Sequence, residues 1–202
     1  MGKVETNKKQ KNTTLLQTSF ELFTEKGFTK TTISDIVNRA GLAKGTFYLY
    51  FKDKYDLRDK LVTYKTSQLF GNAHTALIEQ NIQGFENQMF FVIDHIIDRL
   101  EKEPKLLQFI SKNLWGIFKN AFEKTVPENS RQFYDYYQDM LTQNHIFCEN
   151  QELMLFTILE LVGSTCYSCI LYQQPVSMEE YLPYLHQTIR QIFITFTKPM
   201  AD

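Results

Sequence analysis

Lys44, Gly45, Thr46, Tyr48, Leu49 and Tyr50 lie within one short stretch and carry groups suited to reading a nucleic acid. They offer a cation, hydroxyls, a bare backbone and an apolar tip. A lysine donates to the edge of guanine, hydroxyls reach phosphate or base edges, and a leucine meets a thymine methyl. For these groups to act together the stretch has to be helical. Phe47 and Phe51 then fall i,i+4 on a buried side, while Gly45 and Leu49 point the opposite way. Upstream, Thr32 and Asp35 have the spacing of a capping box. Ile33, Ile36, Val37 and Ala40 follow on one helical face, and Gly41 is the residue best suited to end that helix. The pattern predicts two short helices joined by a tight turn, the second offering its outer face to a major groove. The plain alternative is an αα-corner of the kind any small helical protein contains.

The run Lys44-Gly45-Thr46-Phe47-Tyr48-Leu49-Tyr50-Phe51-Lys52-Asp53-Lys54-Tyr55-Asp56-Leu57 closely resembles the signature of the TetR family of bacterial transcriptional regulators. So does Phe23-Thr24-Glu25-Lys26-Gly27-Phe28 followed by Thr31-Thr32-Ile33. The resemblance covers about Thr14 to Leu61 and is only architectural beyond it. It implies that Lys54 binds phosphate and that Tyr48 and Tyr50 touch backbone or base edges. Thr32, at a helix N-terminus, is suited to hold a phosphate through its hydroxyl and the free amides. Ala43 stands where the family often has Ser or Thr, so a helix cap is missing there. The resemblance further implies a homodimer on a double-stranded DNA operator, acting as a repressor released by a small-molecule effector. It also implies that the fourth helix links head to body and transmits the signal.

Composition supports a basic head on an acidic body. Residues 1–60 hold 12 Lys and Arg against 7 Asp and Glu, within a chain of net charge −1, so nucleic-acid contact is expected at one end. The expected architecture is all-α, with no strand signal: a helix-turn-helix head over 1–60 and a ligand-binding and dimerisation domain over 61–202. Met1 to Asn12, carrying Lys3, Lys8, Lys9 and Lys11, reads either as a solvated terminus or as a cationic arm on DNA. The first helix is expected from about Thr13 to Lys26. In the body, Glu152 to Tyr172 is apolar almost all round and must be covered on all sides. A last helix begins near Ser177, where Pro183 should bend or restart it.

Dimerisation is expected through these last two helices, at Leu159, Gly163, Cys166, Ile189 and Phe193; intramolecular core packing is the alternative. Trp115, Phe118, Phe122, Tyr134, Tyr137 and Tyr167 are candidates to line a ligand pocket, again with core packing as the alternative. Aromatics without a basic cluster favour an apolar or cationic effector. Cys166-Tyr167-Ser168-Cys169 has redox-motif spacing but sits inside an apolar helix, where a thiolate has little support. The other readings weighed are an enzyme and a thiol-controlled or protein-partnered regulator. The histidines are dispersed, and no phosphate loop, G-x-S-x-G elbow or H-E-x-x-H motif is present, so no catalytic residue, metal or cofactor is expected. No apolar run is expected to approach the ~20 residues that span a bilayer, which places the chain in the cytoplasm with no membrane partner.

Overall fold

The computed structural model describes residues 3–111 and 128–199. The chain divides into two compact units, Met1–Tyr64 and Lys65–Asp202. The first holds α1 (Lys3–Lys26), α2 (Ile33–Arg39), α3 (Lys44–Tyr48) and the start of α4 (Lys54–Glu79). Its core is one cluster of Leu15, Leu16, Phe20, Phe23, Ile36, Val37, Phe47, Phe51, Leu57 and Leu61. Burying a side chain such as Phe47 contributes roughly 1.5–3 kcal/mol.

α1 begins at Lys3 rather than near Thr13. Residues 3–12 contain no glycine or proline and are rich in Lys, so a helix nucleated on the buried Leu15 and Leu16 propagates backwards through them. Lys8, Lys9 and Lys11 are thus exposed on a helix, not on an extended arm.

The second unit contains the rest of α4, α5 (Phe85–Lys102), α6 (Pro104–Ile110), α7 (Glu128–Gln143), α8 (Gln151–Leu171) and α9 (Met178–Phe196). Gly84, at φ +85°, starts α5, and Ser177 Oγ accepts from Glu180 N at 3.2 Å to start α9. Pro183 neither breaks nor restarts α9. The described chain is all-α in class as expected, with one addition that no strand signal foretold: Ile146–Cys148 (β1) pairs antiparallel with Thr197–Pro199 (β2), Phe147 facing Lys198. The partners lie some fifty residues apart, so neither strand carries a local signal.

α8 is 21 residues long and apolar enough to cross a membrane by length and composition, contrary to the sequence expectation. Here it packs instead against α5, α6 and α9. Nor is it covered on all sides within the chain: Met154, Leu155, Ile158, Cys166 and Cys169 are buried, while Leu153 is 51% exposed.

α9 is fastened to α5 by an inner aromatic cluster and an outer polar edge. Phe193 sits 5.1 Å from Phe85 and 5.9 Å from Phe90, ring centre to ring centre. His186 Nε2 lies 2.7 Å from Asp94 Oδ1, and Arg190 pairs with Glu86. Ile189 and Phe193, expected at a dimer interface, are therefore interior residues of the chain, 0% and 5% exposed. A side chain already enclosed by its own chain offers no surface to a partner. Phe193→Ala should cost about 3–5 kcal/mol in urea unfolding, because it removes a ring and leaves a cavity; a loss below 1 kcal/mol would place Phe193 outside the core.

Candidate nucleic-acid interface

The presenting surface is built from the inside out. Phe47 and Phe51 are 0% and 2% exposed, with ring centres 5.4 Å apart, and they fix which side of α3 faces inward. The opposite side is then obligatorily outward. Lys44 and Gly45 are exposed, Tyr48 is 53% exposed and Leu49 76%, with Thr46 and Tyr50 half-buried at the edges. An apolar residue as open as Leu49 on a small module marks a contact surface more readily than a packing accident. Nothing in the protein lies within 4 Å of the place a Gly45 Cβ would occupy, so no packing in the chain requires a glycine there.

α2 starts with the expected capping box: Thr32 Oγ1 accepts from Asp35 N at 3.1 Å, and Asp35 Oδ2 accepts from Thr32 N at 2.8 Å. The Lys26 ammonium, 2.8 Å away, and the Thr32 bonds hold the Asp35 carboxyl far below the usual carboxylate range. Arg39 forks onto both oxygens of Glu25, tying α2 back to α1. Gly41 sits at φ +66°, the left-handed conformation the turn needs. Ala43 gives α3 no side-chain cap.

Lys54, expected on phosphate, has partners within the chain. Its Nζ donates to Phe28 O at 2.8 Å, Thr31 O at 2.9 Å and Thr29 O at 3.4 Å, and it lies 4.4 Å from the centre of the Phe28 ring. An ammonium has three protons, and three carbonyls take them. Lys54 therefore fastens the α1–α2 loop to the start of α4. Thr31, 0% exposed, completes the fastening through Oγ1 to Gly27 O at 2.8 Å. Sequence reading passed over Thr31, since a buried threonine in a loop has no periodic signal. Asp53 Oδ1 accepts from the amides of Tyr55 and Asp56, and Asp56 Oδ2 from Lys52 N, so the start of α4 is doubly capped.

In the second unit a cavity of about 70 Å³ lies among α4, α5, α6, α7 and α8. Of the expected ligand residues, Tyr137 lines it, fully buried, with its hydroxyl donating to Gln151 O at 3.2 Å. Tyr134 lies instead in a surface groove beside Cys148 and Gln151. Tyr167 pairs with Tyr172, outside the cavity. Trp115, Phe118 and Phe122 fall outside the described residues. Leu159, Gly163 and Cys166, expected at the dimer interface, line the cavity. Met89, Ile93, Ile96 and Ile158 are among the remainder, and no charged side chain is among the described lining. A cationic effector, one of the expected classes, thus finds no countercharge there.

The thiol chemistry weighed from sequence fares poorly. Cys166 is 0% exposed, and burial first, then neighbouring Cys169 and Glu101, pushes its thiol up to about 12. Among the described residues no cluster of His, Cys, Asp and Glu is arranged to hold a metal ion.

Residues 15–61 match the family model described as bacterial regulatory proteins, tetR family. The head, over residues 15–61, is of that class. The Bacillus subtilis HTH-type transcriptional regulator YvdT is 45% identical over 64 residues, 30% of this chain and 33% of that protein. The matched stretch thus spans about a third of this relative's length. A TetR-family regulator from Streptomyces coelicolor superposes with a TM-score of 0.68 at 13% identity, covering 93% of this chain and 98% of its own. The transcriptional regulator FadR from Bacillus subtilis, in complex with stearoyl-CoA, does so at 0.58 and 16% identity, covering 88% and 96%. At such identities these structures establish the fold.

Lys54→Met keeps the alkyl stem and removes the donor. If the lysine positions the loop, DNA affinity should fall equally for all sequences with an unchanged salt slope. A slope reduced by about 0.9 would identify a direct phosphate contact instead. Separately, Cys166 should resist a thiol-specific disulfide reagent for hours in the native protein and react at once in urea; rapid native reaction would restore a thiol switch.

Proposed function

We propose that this chain is a homodimeric transcriptional regulator that reads a palindromic operator with α3 and is released when a small molecule occupies the cavity of the second unit. The observation that carries the DNA reading is the outer face of α3: Lys44, Thr46, Tyr48, Leu49 and Tyr50 around the open backbone of Gly45. Gly45 is the second residue of α3, glycine forms helix less readily than alanine, and no packing within the chain requires it. An external surface pressed against that backbone supplies the reason, and a major-groove wall fits the neighbouring groups. Thr32, exposed at the start of α2, adds a phosphate contact through its hydroxyl and the helix N-terminal amides.

One head reads a half-site, so two heads on one face of the duplex require a two-fold dimer. The exposed apolar residues of α8 and α9, Leu153, Tyr184 and Ile194, support an interface on their outer faces. α4 connects the two functions, since it begins at the Lys54 fastening and goes on to line the cavity with Leu69 and Phe70. A ligand that parts these helices favours a head spacing unsuited to adjacent grooves, a shift of population between two states. The stearoyl-CoA in the Bacillus subtilis neighbour supports a chain-like apolar effector for an interior of this kind.

Fluorescence anisotropy on the DNA flanking the protein's own gene, against scrambled duplex over a salt series, tests the reading. Selective binding at two subunits per duplex is expected. Gly45→Ala should raise the stability of the fold slightly while weakening operator binding, two effects of opposite sign. Unchanged affinity in that variant, or no selectivity at any salt, would overturn the α3 assignment.

A further inference from the structure

Thr66 is the unusual member of the cavity wall. It lies on α4, is 2% exposed, and its Oγ1 is shielded from solvent without a hydrogen-bond partner. A helical threonine ordinarily satisfies its hydroxyl on the carbonyl one turn back, as Thr63 does with Asp59 O at 3.1 Å and Thr75 with Gly71 O at 3.0 Å on this same helix. Leaving such a group unsatisfied in an apolar interior is costly. The other hydroxyl of the described lining, that of Tyr137, is already committed to Gln151 O. The cavity therefore holds one unspent polar group amid an otherwise apolar surface.

We propose that Thr66 Oγ1 is the polar recognition point for a neutral, mainly aliphatic effector that carries one hydrogen-bonding group, such as an alcohol or a carbonyl. The inference rests on the reading of this cavity as the effector site. Charge is disfavoured because the described wall has neither cation nor carboxylate to receive it. An alcohol or carbonyl pairs with a threonine hydroxyl, which both donates and accepts. The present volume of about 70 Å³ is below the ~150 Å³ that holds a benzene-sized guest. Occupancy must therefore spread the wall, and a hydrogen bond to Thr66 applies that load to α4 itself.

The test is calorimetric titration of the full-length protein with four probes of equal chain length: 1-octanol, n-octane, octanoate and octyltrimethylammonium. Binding of 1-octanol at least tenfold tighter than the other three is expected. In Thr66→Val, which keeps the shape and removes the hydroxyl, the unliganded protein should melt at a higher temperature, and the preference for octanol over octane should vanish. Equal or tighter binding of either charged probe, no binding of octanol, or an octanol preference that survives in Thr66→Val would overturn the proposal. Operator release is measured separately by anisotropy. Thr66-dependent octanol binding without release would leave the recognition point standing and remove the release mechanism alone.

Discussion

In the first unit one ammonium ties a loop to the start of α4. Lys54 Nζ gathers the carbonyls of Phe28, Thr29 and Thr31 and rests over the Phe28 ring. These carbonyls belong to a loop outside any helix or sheet; Phe28 O also accepts from Thr31 N at 3.3 Å, and the Phe28 and Thr31 contacts are part-buried. By satisfying them from the first residue of α4, the chain fixes where α2 begins relative to where α4 begins. α3 lies between those two points, so its orientation follows. Phe28 is held from both sides, with its ring edge-on to Phe23 at 5.1 Å and Tyr55 at 5.2 Å.

With its ends fixed, α3 needs little stability of its own. Five residues with an uncapped start do not make a helix in isolation. Phe47 and Phe51 hold it by burial, and that frees the outer positions from any structural duty. Gly45 shows the freedom most clearly, being suboptimal for the helix and unconstrained by neighbours. A surface relieved of packing can be composed for its partner, and here it holds donors, hydroxyls and one exposed leucine.

The second unit follows a different logic. Its aromatic content closes an interior more than it lines one: Phe85, Phe90 and Phe193 seal α5 to α9, and His74 stacks on Tyr136 at 3.5 Å between α4 and α7. Among the described residues, the cavity that remains is small and mainly aliphatic, with Phe70 and Tyr137 in its wall. A small cavity in a closely packed domain can be filled by a larger guest only if a wall moves. Among the walls, α4 is the one that also starts at the Lys54 fastening.

The sequence by itself determined the centre of the head, from α2 to the outer face of α3, but not where α1 begins. The Thr32–Asp35 capping box, the Gly41 turn, the Phe47–Phe51 stripe and the outward face of α3 are all set by contacts within a few positions, and local spacing records such contacts directly. The same holds for the uncapped Ala43 and for the helical character of the body. Only tertiary structure decided which apolar face met which. Ile189 and Phe193 have the periodicity of an interface and of a core alike, and the position of α5 made them core. Lys54 has the same identity whether it meets a phosphate or three carbonyls, and a loop 23 to 26 residues upstream chose the carbonyls. The β1–β2 ribbon and the unpaired hydroxyl of Thr66 were beyond reach for one reason: each depends on residues distant in sequence, and spacing carries no record of what folds back to meet it.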